Sequence, residues 1–376
     1  MTLTLRRTFS TLFLFLVLAP CSVLAFVENV THGYANCVTC HVSPSGGGLL
    51  TPYGRSLSKE LISTWGGWEN SEQPLFGLLP ASEKILTGGD IRTSQTFREN
   101  SVQRSGRFFL MQNNFELGIP VGKVTAVGTF GTQEGPRGTP ERGEFLSERH
   151  YLLWEISDNS RLRVGKFRQP WGINDPNHTR LVKSLLGFGA LSETYNLEMS
   201  YFQEKYEVVL NTSLGRVDQP RTATSEKSFS ANFVHFLEGN SQVGINAMIG
   251  ESEVQHRFLT GGFAVLPFTK SMYGLFELDY ETVNPVATPT KDEKTIVSSL
   301  RLGNEFFKGF RAYGIFEHAS KDAMSGYVLT QAPGVGWQWL PFPHIELQME
   351  YERKTVSNVP REVEHVGWLI FHLYPL

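Results

Sequence analysis

The sequence predicts an all-β chain: a transmembrane antiparallel β-barrel of about 16 strands, preceded by a short N-terminal segment. Three observations carry this expectation. From about Lys84 onward, apolar and polar residues alternate with a period of two, in stretches near the ~10 residues a tilted strand needs to cross a bilayer. Glycine makes up 36 of 376 residues, above the usual ~7%, and there are 27 Phe, 12 Tyr and 7 Trp, a composition suited to strands and turns. Beyond residue 25 no apolar run approaches the ~20 residues of a membrane-spanning helix.

The first element, residues 1–25, reads as an export signal. Arg6 and Arg7 supply its positive region, Leu12 to Ala19 an apolar run too short to span a bilayer, and Val23-Leu24-Ala25 a small-residue cleavage site. Cleavage after Ala25 would start the mature chain at Phe26. Leu18-Ala19-Pro20-Cys21 faintly resembles a lipid-attachment box, but proline directly before the cysteine argues against it. Without Arg6 and Arg7 the 34 basic residues become 32 against 37 acidic ones, a net −5. That balance, with no basic block, argues against nucleic acid as a partner.

The second element, residues 26–82, contains the stretch that names a chemistry. Cys37 and Cys40 are two residues apart and His41 follows at once, the C-x-x-C-H spacing that suits covalent attachment of a single haem c. Two thiols at this spacing reach the two vinyl groups on one porphyrin edge, and the adjacent imidazole swings under the iron as an axial ligand. With Cys21 removed, this pair holds the only cysteines, which is no disulfide framework. A thioredoxin-like pair would need a βαβ context and a zinc site two more close ligands, where only His32 and His41 are near.

For the sixth iron position, His32 is the candidate, nine residues before His41 on a flexible Gly33-Tyr34 approach. The plain alternative is a solvated histidine near a mature N-terminus, and His150, His178 and Met111 are further candidates in the barrel. After His41, Val42-Ser43-Pro44-Ser45-Gly46-Gly47-Gly48 lets the backbone pass close to a flat ligand. A helix is expected over Arg55 to Trp65, with Leu57, Leu61 and Trp65 on one face packing against the haem or a small core.

The third element, residues 83–376, is the barrel. Strands are expected near 85–98, 106–118, 122–132, 144–157, 160–168, 194–204, 205–215, 227–238, 241–252, 255–267, 270–282, 294–305, 308–319, 325–338, 342–353 and 363–374. In one of them Ile345, Leu347, Met349 and Tyr351 oppose His344, Glu346, Gln348 and Glu350, and in another Met272, Phe276 and Leu278 oppose Glu277 and Asp279. Short turns such as Pro267 to Lys270 and Phe306 to Gly309 contrast with longer polar connections at Gln133 to Gly143 and Asn284 to Lys294. A soluble sandwich or propeller is the rival architecture, but its strands are usually shorter, near 5–6 residues.

Gly165-Lys166-Phe167-Arg168-Gln169-Pro170-Trp171-Gly172 ends a basic strand, and no strand signal follows until about Ser192. Here the chain resembles porin-type barrels of the phosphate-selective class, in which a Gly-basic-Phe-x-x-Pro-x-Gly turn is followed by a loop folded into the lumen. The final segment, Val366 to Tyr374, is similar to the closing strand of bacterial outer-membrane proteins, although the chain ends on Leu376 rather than an aromatic residue. Together with C-x-x-C-H, the combination resembles bacterial outer-membrane porin-like proteins that carry one N-terminal c-type haem.

That resemblance implies an outer-membrane location, with the haem segment on the periplasmic side or in the barrel lumen. The leading expectation is a non-enzymatic electron-transfer role, with a periplasmic or multihaem cytochrome as partner, because one macrocycle is much smaller than the ~30 Å hydrocarbon core. A solute porin, in which the haem segment is a plug or gate, is the second. A soluble periplasmic haem enzyme or sensor is the third. In an inward loop, Arg161, Arg163, Lys166 and Arg168 would favour anions, unless they pair with lumen carboxylates such as Glu155, Glu193, Glu207 and Glu277. No Gly-rich phosphate loop, H-E-x-x-H or G-x-S-x-G is present to suggest catalysis.

Overall fold

The computed structural model describes residues 27–34, 36–133, 145–288, 292–323, 326–357 and 362–375, so the export signal and its cleavage site lie outside the described residues. Sixteen strands form one closed antiparallel barrel. They are β1 Leu86–Glu99, β2 Arg104–Val121, β3 Val124–Gln133, β4 Leu146–Ser157, β5 Ser160–Phe167, β6 Thr194–Phe202, β7 Tyr206–Ser213 and β8 Lys227–Phe236. The second half is β9 Gln242–Glu251, β10 Gln255–Pro267, β11 Met272–Pro285, β12 Glu293–Phe307, β13 Phe310–Ala323, β14 Gly326–Trp339, β15 Ile345–Val356 and β16 Glu362–Leu373. Each strand pairs with its sequence neighbours, and β16 closes on β1 from Ile91↔Leu373 to Glu99↔His365. Every expected segment meets one of these strands.

The alternation is that of a barrel turned inside out relative to a soluble core. On β11, Glu277 and Asp279 are 2% and 0% exposed inside while Phe276 and Leu278 are 42% and 44% exposed outside. On β15, Glu350 is buried and bonded within the lumen, whereas Met349 and Tyr351 face outward. Apolar side chains outside and polar ones inside suit a wall in contact with lipid. This exterior removes the ground for a soluble enzyme or sensor, which would cover its apolar face.

One end of the barrel carries only tight connections, among them 122–123, 158–159, 268–271 and 308–309. The other carries the longer ones, 168–193 and 214–226, alongside short ones such as 100–103 and 252–254, so the expected alternation of short and long is only partial. We call these the turn end and the loop end. Neither the N-terminal segment nor the loop 168–193 projects into solvent as a whole; both enter the lumen.

The expected helix is shifted. Helix α1, Pro52–Leu57, starts early because Thr51 accepts a hydrogen bond from Gly54 N at its N-cap and Pro52 follows it, and the chain then winds through a wider π-turn over Ser58–Ile62. Ser63 is extended, so Trp65 leaves the helix and does not join Leu57 on one face. Leu57 and Ile62 are buried with Tyr34, Cys40 and Leu340, while Trp65 is half exposed.

Candidate functional site

The N-terminal segment fills the turn-side half of the lumen and touches the wall almost all the way round. Val30 packs against Ile173, Phe263, Val265, Tyr273 and Leu275. Val42 and Leu49 pack on the other side against Val127, Tyr151, Leu153 and Phe167. Between these apolar contacts lie polar ones: Arg163 Nη1 donates to Ser43 Oγ at 2.7 Å and Nη2 to Ser45 Oγ at 2.9 Å, Arg301 Nη1 to Glu28 Oε1 at 2.8 Å, and Arg311 Nη2 to Asn29 Oδ1.

Within this segment the structure brings Cys37, Cys40 and His41 onto one turn. Cys37 O accepts from Cys40 N at 3.2 Å and from His41 N at 3.0 Å. Neither cysteine is in a disulfide. Burial, with Glu207 and Cys40 adding to it, pushes the Cys37 thiol up to about 12, and burial does the same to Cys40. Burial lowers the His41 imidazole to about 4, against the opposing pull of a hydrogen bond to the Gly48 backbone and with the Arg149 charge assisting. His41 is therefore neutral, the form that binds a metal.

A haem c is the group this donor set implies, and the local backbone suits it. Gly46, Gly47 and Gly48 all take left-handed φ, at 77°, 71° and 66°. A Cβ on Gly46 would lie 3.1 Å from Cys37 Sγ and 2.7 Å from Asn174 Nδ2, so glycine lets the backbone pass close to the thiol and to Asn174. A Cβ on Gly48 would lie 2.7 Å from an Arg149 nitrogen and 3.0 Å from Glu116 Oε1, beside the isolated bridge between His41 and Leu50. Two thiols outside any disulfide on one turn and an adjacent imidazole tied to the backbone are the donor set that a covalently held haem needs.

His32 is not brought to this turn by any contact described. Its Nε2 lies 2.6 Å from Glu305 Oε2 on β12, which makes it a tether between segment and wall. The other candidate ligands are scattered. His150 bonds to Ser147 and Tyr195, and Met111 lies in the bulge where β2 skips a residue against β1. His178 sits on the inward loop, its imidazole lowered to about 4 by burial and by Arg168 and Arg92.

The loop 168–193 crosses the middle of the lumen, as the likeness to porin-type barrels implies. It is held by buried wall carboxylates: Glu277 accepts from Ile173 N at 3.0 Å, Glu317 from Leu181 N at 2.9 Å and Asp279 from Trp171 Nε1 at 3.1 Å. Leu181 opens a short helix, α2, Leu181–Ser184. Arg180, 1% exposed, donates to both carboxylate oxygens of Glu350, at 2.8 and 2.5 Å, and to Glu352 at 3.1 Å. Burial would raise the Asp175 carboxyl, yet Arg301 and Arg180 hold it below its usual range.

Loop and segment meet. Asn174 Nδ2 donates to Ser45 O at 2.7 Å, and Arg301 holds Glu28 of the segment and Asp175 of the loop at once. Sequence reasoning missed Glu28, Asn174 and Arg301. Only Arg301 carried a signal, as a lone charge between Leu300 and Leu302. The four basic residues expected to favour anions are each paired with an acid, Arg161 with Glu155, Arg163 with Glu198, Lys166 with Asp218 and Arg168 with Glu193. Pairing, rather than anion attraction, is what they do here.

No protein-family model and no curated relative matches the sequence. Solved structures do match it in shape. The outer membrane channel DcaP of Acinetobacter baumannii aligns with a TM-score of 0.59 at 11% identity, over 77% of this chain and 96% of that one. OmpT, an outer membrane protein of Vibrio cholerae, gives 0.60 at 8% identity over 79% and 100%. An anion-selective porin from Comamonas acidovorans gives 0.59 at 10% identity over 77% and 99%. At such identities the likeness is one of fold: this chain has the sixteen-stranded architecture of bacterial outer-membrane porins.

Proposed function

We propose that this chain is an outer-membrane, porin-type channel closed by its own N-terminal segment, and that the segment carries one haem c on Cys37 and Cys40 with His41 as axial ligand. The observation that carries this reading is the position of the C-x-x-C-H turn. It lies inside the barrel, in the stretch that occupies the turn-side lumen, with neither cysteine in a disulfide and a glycine run beside it. The apolar exterior, the polar interior and the likeness to porins support the membrane setting. By the usual orientation of such barrels the turn end then faces the periplasm.

When bound, the haem supplies a one-electron couple at its iron. The protein's part is to hold it. Cys37 and Cys40 would anchor the macrocycle, Gly46 lets the backbone pass close to Cys37, and His41, tied to Gly48, would offer its imidazole to the iron. His32 stands outside this set because Glu305 occupies its Nε2.

A solute must pass the segment and then the loop, two closures in series, so the segment acts as a plug or gate. A second reading, electron transfer at the outer membrane, is favoured by the C-x-x-C-H motif itself. It needs a periplasmic or multihaem cytochrome at one mouth, because a single macrocycle falls well short of the ~30 Å hydrocarbon core. Haem-stained electrophoresis of separated membrane fractions, boiled and unboiled, tests the common ground: a heat-shifted, haem-positive outer-membrane band is expected, and a haem-free band removes the cofactor. Planar-bilayer conductance separates the roles. The full chain should stay closed until the segment is displaced, and steady open channels indifferent to haem reduction would overturn the gate.

A further inference from the structure

The N-terminal segment does not remain wholly inside the barrel. Beyond Ser63 it passes under the β14–β15 turn, where Thr64 N donates to Leu340 O at 2.8 Å and Trp65 N to Pro341 O at 2.9 Å. Thr64 Oγ1 also donates to Lys308 O at 2.8 Å and accepts from Trp339 Nε1 at 3.1 Å. Trp339 belongs to the outer face, since it alternates with Gln338, which donates to Glu346 inside the lumen at 2.6 Å. The Trp65 indole packs against Trp339 with ring centroids 5.7 Å apart and against Phe342 at 5.1 Å.

These bonds fix Trp65 on the outer rim of the turn end, and 50% of it is still exposed. It continues an aromatic rim already present on the wall. Phe310 stacks with Phe307 at 5.0 Å and with Trp337 at 6.3 Å, Tyr206 stacks with Phe233 at 6.2 Å, and Trp154 faces out on β4. An indole has an apolar body and a polar N–H, and side chains of that kind gather where hydrocarbon meets headgroups.

We propose that Trp65 is a lipid anchor, through which the lumen-filling segment extends the outward aromatic rim into the headgroup region of the leaflet at the turn end. The occupant is bilayer lipid because the rim runs around the barrel from β4 to β14 and Trp65 continues it without a break at Trp339. This inference rests on the reading that the barrel spans a membrane. It fixes the segment at two levels, by wall contacts inside and by lipid outside, so withdrawing it from the lumen also strips Trp65 from the interface.

The test uses the full chain in nanodiscs of phosphatidylcholine brominated near the carbonyl end of its acyl chains, compared with unbrominated nanodiscs. Tryptophan emission of the wild type minus that of Trp65→Phe isolates the Trp65 signal, and Trp154→Phe isolates an outward wall tryptophan as control. Loss of the Trp65 signal in brominated lipid is expected. An undiminished Trp65 signal beside a quenched Trp154 signal overturns the anchor alone. If neither signal is quenched, the membrane-spanning reading falls and takes the anchor with it.

Discussion

The two stretches that occupy the lumen, the N-terminal segment and the loop 168–193, are fastened by different chemistry. The loop satisfies the wall: Glu277, Glu317 and Glu350 are buried carboxylates whose bonds go to Ile173 N and Lys183, to Leu181 N, and to Arg180. Without the loop these acids would lose those partners in a confined space, at a cost of several kcal/mol. The wall depends less on the segment. The wall charges it touches keep other partners when it is absent, since Arg163 retains Glu198, Arg301 retains Asp175 and Arg311 retains Glu305. The remainder of its hold is largely apolar, through Val30, Val42, Leu49, Leu57 and Ile62. The loop is thus part of the barrel and the segment is a guest within it, which is the property a plug needs.

The sharpest way to break this contrast is to remove the segment's chemistry outright. Replacing Cys37 and Cys40 by serine should abolish covalent haem on a stained gel while the barrel keeps its heat-dependent mobility; loss of both would mean that the barrel depends on its guest. Next in size, Arg180→Ala leaves Glu350 buried without its main partner and should destabilise the barrel by about 3–5 kcal/mol in denaturant titration. Leu49→Ala removes a 2%-exposed contact between segment and wall and should cost about 2–5 kcal/mol of docking. That loss should be read as easier proteolysis of the segment and as channel openings, not as a lower barrel midpoint. His32→Gln breaks a partly exposed tether and should cost at most ~1 kcal/mol. It should leave the haem absorption spectrum unchanged, whereas a shift in low-spin character would make His32 an iron ligand after all.

The strands were legible because a lipid-facing barrel writes a strict alternation into the chain, apolar outward and polar inward, as in Phe276-Glu277-Leu278-Asp279. The inward loop was legible from the Gly165 to Gly172 turn and the missing strand signal after it. The spacing of Cys37, Cys40 and His41 was visible in the sequence too, and the haem c it suggests belongs to the proposed function. The lumen was one of the placements expected for the segment, but the contacts that dock it there were not legible, because Glu28, Val30 and Ser43 are ordinary residues whose partners lie more than a hundred residues away, and those of Val42 and Leu49 lie on β3 to β5. The expected helix face failed for a local reason: counting Trp65 at i+8 assumed that the helix ran on, and Ser63 ends it.

The burial of Cys40 bears on the order of events in the protein's making. At 1% exposure it lies behind Tyr34, Leu57, Ile62 and Leu340, and Leu340 is supplied by a turn some three hundred residues later in the chain. In the closed barrel these four side chains cover the sulfur. If the proposed haem is bonded to Cys40, it would be attached while the chain is still open, before β16 pairs with β1. On that reading, maturation and barrel closure would be successive steps, and chains closed too early should accumulate as haem-free barrels that later supply of haem does not rescue.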